Sequence, residues 1–88
     1  MTSPEKSPFP HIEALIEDGE VTVGIIRPVG CVAVATDGHQ ALAMLRRCPG
    51  ESLMNLLQRL DTAIKTAVEQ EIYTDEINSP APGSKRSR

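Results

Sequence analysis

The most constraining feature of this 88-residue chain is one long run of apolar residues at helical spacing, which starts just after Ser52. Pro49-Gly50 breaks the chain before the run, and Ser52 suits the N-cap of a helix. The apolar positions, spaced three and four residues apart, are Leu53, Leu56, Leu57, Leu60, Ala63, Ile64, Ala67, Val68 and Ile72. This spacing predicts an amphipathic helix of about twenty residues, which must bury its apolar face against another layer.

The segments that precede this helix predict a β-sheet. Residues 20–27 and 31–36 are rich in β-branched side chains and are separated by turn-forming residues, so they predict a hairpin. Asp37-Gly38 is a two-residue hairpin signal and predicts a third strand over residues 39–47. In the competing interpretation Asp37 is an N-cap and residues 39–47 are a helix, which their Ala, Leu and Met content favours. We expect the strand.

A short helix is predicted before the strands. Pro10 suits the first helical position, and Ile12, Leu15 and Ile16 lie three and four residues apart. The chain therefore predicts an α+β fold, with a short helix, a three-stranded antiparallel meander and a long C-terminal amphipathic helix packed on one face of the sheet.

Charge is unevenly distributed along the chain. The Pro-rich residues 1–8 and the basic tail of residues 79–88 are expected to be disordered, which leaves residues 9–78 as a single domain. This domain has five basic and eleven acidic side chains and a net charge of −6, whereas the whole chain has −3 and only two aromatic residues. A basic or base-stacking surface for nucleic acid is therefore not expected.

The predicted sheet has two apolar faces. Pairing Thr36 with His39 places Leu42 and Met44 on the face beneath the long helix. The opposite face then carries Ile26, Val32, Val34 and Leu45. Because one long helix cannot cover both faces, we expect these four residues to form an interface, in a homodimer or with a protein partner.

The outer face of the long helix predicts an ordinary solvated surface. It carries Arg59, Lys65, Glu69 and Gln70. Asp61 and Lys65 have the spacing of a weak ion pair between successive helical turns.

No motif in the chain predicts catalysis or a bound cofactor. There is no glycine-rich phosphate loop, and Cys31 and Cys48 form no closely spaced pair. We therefore expect no enzyme activity, metal, cofactor or small-molecule substrate, and we expect both cysteines to remain reduced. No apolar run is long enough to span a membrane and no secretory signal is present, so a cytoplasmic location is predicted.

Two other functions stay open. If residues 39–47 were helical, they and the long helix would imitate the helix-turn-helix of a DNA-binding regulator, with Arg46, Arg47 and Arg59 available for phosphates. Alternatively, the acidic domain would dock on a basic protein, as small inhibitors do.

The predicted element order also resembles that of the double-stranded-RNA-binding domain. The second helix of that family begins with a lysine-rich phosphate clamp, whereas Glu51 stands at the corresponding place here, so the resemblance is one of topology. A further resemblance covers residues 30–78, with the segments Gly50-Glu51-Ser52-Leu53, Leu56-Leu57, Arg59-Leu60-Asp61, Ala63-Ile64 and Asp75-Glu76-Ile77-Asn78. They are similar to a GE[ST]L…LLxRLDxAI…DEIN pattern of small bacterial proteins without an assigned activity. This resemblance implies a bacterial source and no particular site.

Overall fold

The computed structural model describes residues 7–78. Their elements are α1 (Pro10–Leu15), β1 (Glu20–Ile26), β2 (Gly30–Thr36), β3 (Ala41–Arg46), α2 (Leu53–Gln70) and β4 (Thr74–Asp75). The α+β class is confirmed, as are the short first helix and the long C-terminal helix packed on the sheet. The flanks predicted to be disordered, 1–8 and 79–88, lie outside the described residues apart from Ser7 and Pro8.

The sheet has four strands, so the predicted three-stranded meander is wrong in this respect. Strands β1, β2 and β3 are antiparallel neighbours, and β4 lies beside β3 and parallel to it, with Thr74 aligned to Ala43 and Asp75 to Met44. The parallel direction follows because α2 carries the chain back across the sheet before β4. Two residues, one of them an aspartate, have too little β propensity to predict a strand.

Backbone and side-chain hydrogen bonds mark where α2 begins and ends. The Oγ of Ser52 accepts a hydrogen bond from the N–H of Asn55 at 3.0 Å, which confirms the predicted N-cap. Glu71 follows the helix in a left-handed conformation with φ of 58°, and its N–H donates to the carbonyl of Ala67 at 3.0 Å. The apolar side chains that α2 buries are Leu56, Leu60, Ala63, Ile64 and Ala67.

The hydrophobic core lies between α2 and the middle strands. α2 contacts β2 and β3, whereas α1 contacts α2 and β1. The strands contribute small, fully buried side chains at Ala33, Ala35 and Ala43, and Leu15 of α1 belongs to the same core. Large side chains from the helix, such as Leu56, Leu60 and Ile64, therefore pack in one core with small side chains from the strands.

The turn between β2 and β3 is longer than the two-residue turn predicted. The Oδ1 of Asp37 accepts hydrogen bonds from the N–H groups of His39 at 2.8 Å and Gln40 at 3.0 Å. These bonds hold the turn together, lower the pKa of Asp37, and delay the start of β3 until after Gln40. The third strand is confirmed, and the alternative helix over residues 39–47 is wrong.

A β-bulge decides which side chains of β3 face α2. Ala33 lies opposite Leu45 and Val34 opposite Met44, and the register shifts beside Thr36. Paired residues share a face, so Leu45 lies under α2 together with Ala33, and Met44 lies on the other side, which we name the open face. The predicted faces of Leu45 and Met44 are therefore wrong, because an inserted residue reverses the faces of a strand.

The start of β1 requires a glycine. A Cβ atom on Gly19 would lie 2.5 Å from the carbonyl oxygen of Thr36 and 2.8 Å from the Cδ1 of Leu15. The absence of a side chain lets the chain pass closely between α1 and the end of β2.

Candidate interaction surface

The chain itself closes the outer edge of β3. Beyond β4, the N–H of Glu76 donates to the carbonyl of Met44 at 2.7 Å. The side chain of Glu76 also turns back, and its Oε1 accepts from the N–H of Arg46 at 2.9 Å. The carbonyl of Met44 and the N–H of Arg46, which this edge of β3 would otherwise expose, are therefore bonded within the chain.

A charged cluster of Glu51, Arg59 and Glu76 holds this closing segment in place. The Nη1 of Arg59 lies 3.0 Å from the Oε2 of Glu76, and its Nη2 donates to the carbonyl of Arg46 at 2.9 Å. Towards Glu51 the guanidinium makes two bonds, from Nε to Oε2 at 2.7 Å and from Nη2 to Oε1 at 2.9 Å. Such two-point pairing fixes orientation as well as distance, so the charged cluster ties α2 to both β3 and the segment after β4.

Glu51 is the buried member of the charged cluster. Its side chain is only 4% exposed, and it accepts further hydrogen bonds from the N–H of Cys48 at 2.9 Å and the Nδ2 of Asn55 at 2.6 Å. The Arg59 guanidinium, and then the Cys48 N–H, lower the pKa of Glu51 to about 2, and the same pairing raises the pKa of Arg59. The prediction that Arg59 lies on an ordinary solvated face is therefore wrong.

Asp61 connects the two helices. Its Oδ1 accepts hydrogen bonds from the N–H groups of His11 and Ile12, each at 2.8 Å. These N–H groups start α1 and need an acceptor, since Phe9 at the N-cap position has no polar side chain. Asp61 is buried, and no ion pair with Lys65 forms among the described residues, so that prediction is wrong. An uncapped helix start is the sequence signal that could have indicated a distant acceptor.

The outer edge of β1 has no partner strand within residues 7–78. The N–H of Arg47 donates to the carbonyl of Cys31 at 2.9 Å, so Cys31 and every second residue of β2 bond towards β3. The intervening residues of β2 must then bond towards β1. In the pairing of β1 with β2, Val21, Val23 and Ile25 lie opposite residues of β2 that bond towards β3. The N–H and C=O groups of Val21, Val23 and Ile25 are therefore directed away from the sheet.

Apolar side chains flank these outward backbone groups. On the side of α2, Val23 is 39% and Ile25 67% exposed, and on the open face Ile26 is 44% exposed. The strand contains neither Pro nor Lys, with which proteins commonly protect an edge. We name the surface formed by Val21, Val23, Ile25 and Ile26 the β1 edge.

Of the four residues that were predicted to form an interface, three share one face of the sheet and the fourth does not. Ile26, Val32 and Val34 lie on the open face, where Ile26 is 44% exposed, Val32 has no exposed surface and Val34 is half-buried. Leu45 is 2% exposed and lies in the core under α2. Its predicted place on the uncovered face is wrong, because of the β-bulge in the pairing of β2 with β3.

Outside the charged cluster, residues 7–78 offer few groups suited to binding a metal ion or a ligand. Within residues 7–78 no three His, Cys, Asp or Glu side chains are grouped as metal ligands require. Cys31 and Cys48 are free thiols. A groove of about 420 Å³ lies between α2 and the β3–β4 side of the sheet, and its charged residues, Arg59 and Glu76, bind each other. No described helix combines the length and apolar character needed to cross a membrane.

Comparison with protein-family models, with curated proteins and with solved structures gives no match. The resemblance to small bacterial proteins therefore stays a prediction.

Proposed function

We propose that this protein is a non-enzymatic interaction module that binds another polypeptide by strand addition at the β1 edge. The supporting observation is the contrast between the two edges of one sheet. The edge of β3 is closed by β4 and by Glu76, whereas on the β1 edge the outward groups of Val21, Val23 and Ile25 have no partner strand among the described residues. An added strand would satisfy these groups with main-chain hydrogen bonds.

The side chains and charges of β1 define which strand fits. Side chains of an added strand would alternate between the α2 side, beside Val23 and Ile25, and the open face, beside Ile26. Covering a largely exposed isoleucine contributes about 1.5 kcal/mol to binding. Glu20 and Arg27 lie at opposite ends of the strand, so an antiparallel partner with a basic end near Glu20 and an acidic end near Arg27 is favoured.

The other functions weighed from the sequence have less support. A helix-turn-helix needs a helix where β3 lies, so we do not propose DNA binding of that kind. Docking of the acidic domain on a basic protein stays a prediction, as do a cytoplasmic location and a bacterial source.

A designed peptide tests strand addition directly. The probe is the end-blocked peptide Glu-Thr-Val-Thr-Val-Thr-Val-Lys, whose end charges complement Arg27 and Glu20 in the antiparallel orientation. At low micromolar concentration, we expect the peptide to slow amide hydrogen exchange at Val21, Val23 and Ile25 of the full chain. The intervening amides of β1 already bond to β2 and should change little. A peptide with proline at its centre should give no protection.

Two lysine substitutions provide a matched control for the peptide experiment. Ile25 and Val68 are 67% and 65% exposed, but only Ile25 lies on the β1 edge. Ile25→Lys should abolish the protection given by the peptide, and Val68→Lys, on α2, should retain it. Absence of protection in the unsubstituted chain, or equal loss in both variants, would contradict strand addition.

A further inference from the structure

We infer that the strand added at the β1 edge is β1 of a second copy of this chain, so that two sheets join into one continuous sheet. This inference rests on the proposed strand addition and names its partner. It follows from the self-complementarity of β1, which holds for its backbone groups, its apolar side chains and the charges at its ends.

Two-fold symmetry restricts how two β1 strands can pair. Identical antiparallel edge strands are related by an axis perpendicular to the sheet, which keeps both copies of α2 on the same face. The register that pairs all seven residues of β1 places Val23 on this axis. Val23 then lies opposite the partner's Val23, and Val21 lies opposite the partner's Ile25. The outward N–H and C=O groups of one copy meet those of the other, as in hydrogen-bonded antiparallel pairs.

The same register covers the exposed side chains on the α2 side. Val21, Val23 and Ile25 alternate along the strand and share this face, so the two copies form one apolar row across the joint. Ile25, which is 67% exposed in the single chain, packs beside the partner's Val21. The row lies in the space between the two α2 helices, which residues 7–78 of a single chain leave uncovered.

The charges at the ends of β1 favour the antiparallel arrangement. Asp18 and Glu20 lie at the start of the strand and Arg27 directly follows its end. In the register centred on Val23, Arg27 lies opposite the partner's Gly19, which is flanked by the partner's Asp18 and the partner's Glu20. The contact occurs twice because of the symmetry. A parallel arrangement would instead bring like charges together at both ends.

Closure of the β3 edge limits the assembly to two copies. β4 and Glu76 occupy the outer side of β3, so among the described residues the joined sheet has no long open edge. One free edge in each chain gives a closed dimer, whereas two free edges would allow open-ended growth. Because the contact is only one strand wide, we expect a dissociation constant in the micromolar range.

Sedimentation velocity on the full chain, from low to high micromolar concentration, tests for the second copy. We expect a reversible monomer–dimer equilibrium. Ile25→Lys should raise the dissociation constant at least about tenfold, and Val68→Lys should change it less than about twofold. Far-UV circular dichroism establishes that each variant is folded.

Cysteine substitutions test the register itself, in a chain that also carries Cys31→Ala and Cys48→Ala. Val23→Cys places two thiols across the axis at a Cα separation of about 5.5 Å, which a disulfide can bridge. The two Cα atoms at position 21 would be about 14 Å apart, because they are displaced by four residues along the strand as well as by the distance between the two strands. Mild oxidation should therefore link Val23→Cys chains and leave Val21→Cys chains unlinked, as read by mass spectrometry.

Several results would overturn the inference, and they separate it from strand addition. A chain that stays monomeric at high micromolar concentration but binds the peptide would exclude the second copy and keep strand addition. A dimer unaffected by Ile25→Lys would place the interface elsewhere, for example on the open face around Val34. Linkage through Val21→Cys instead of Val23→Cys would reject the register. Slow amide exchange at Val23 in the free monomer would show that the β1 edge is already occupied, which contradicts both proposals.

Discussion

Replacement of Leu60 by alanine is expected to remove a large part of the stability of the fold. Leu60 has no exposed surface and lies in the middle of α2. The substitution deletes three carbon atoms, which corresponds to about 2.4 kcal/mol of transfer free energy at about 0.8 kcal/mol each. A cavity adds to this loss when the surroundings cannot collapse into it. The strands beneath offer Ala33, Ala35 and Ala43, which have no side-chain rotamers to rearrange, so we expect a total of about 3 to 5 kcal/mol.

A loss of this size approaches the whole free energy of unfolding of so small a domain. A single core in a chain of about 70 residues supplies about 3 to 5 kcal/mol. Leu60→Ala should therefore be largely unfolded at room temperature, or should melt at least about 12 °C below the unsubstituted protein. The measurement is a thermal and a urea unfolding curve by far-UV circular dichroism, at low micromolar concentration so that self-association contributes little.

Leu53→Ala is the matched control for Leu60→Ala. It makes the same chemical change in the same helix, at a side chain that is 55% exposed. We expect it to lower the free energy of unfolding by about 0.5 kcal/mol or less. Equal destabilisation by the two variants would refute the assignment of Leu60 to the centre of the core.

Three further predictions concern single side chains. Gly19→Ala should lower the melting temperature clearly, because the added Cβ would lie 2.5 Å from a backbone carbonyl oxygen. Gly24→Ala is the control, since a Cβ there would meet no atom within 4 Å, and it should have little effect. Equal melting temperatures of the two variants would contradict this steric reason. The pKa of Glu51 is lowered from 4.5 to about 2, so its stabilising contribution is complete above pH 4.5 and is lost as the pH falls towards 2. Urea titrations over this range should show a weaker pH dependence in Glu51→Gln, and an unchanged dependence would refute the contribution. Asp61→Ala should speed amide exchange at the start of α1, and unchanged exchange there would show that Asp61 does not cap it.

The parts of the fold that depend on neighbouring residues could be predicted from the sequence. The start of α2 follows from Ser52, whose Oγ bonds to the N–H of Asn55 within the same turn of helix. β1 and β2 follow from β-branched residues between turn signals, and β3 follows from the turn signal Asp37-Gly38, although Ala, Leu and Met favour a helix over residues 39–47. Each of these signals lies inside one segment, so its physical cause is visible in the sequence.

The parts that depend on contacts between distant segments could not be predicted. Asp61 binds N–H groups 50 and 49 positions earlier in the chain, and Arg59 binds Glu76 17 positions later. The spacing of the apolar residues in α2 places Arg59 and Asp61 among its polar positions, but it carries no information about the groups to which they bond. The face of Leu45 depends on one inserted residue in β3, and a shift of one residue reverses every side chain that follows. Leu45 therefore lies in the core and not on the face of Ile26, Val32 and Val34, with which it was predicted to form an interface.

The exposure of the β1 edge follows from the number of elements in the fold. A helix with its side chains is about 10 Å across and neighbouring strands are about 4.8 Å apart, so one helix covers about two strands. α2 lies over β2 and β3, and α1, with six residues, reaches only the start of β1, where Val21 packs against the core. Val23 and Ile25 therefore stay uncovered on the same side of the sheet as both helices. One long helix is too narrow for three long strands. The proposed pairing with a second β1 strand would cover the remaining strand and would bond those of its backbone groups that have no partner within residues 7–78.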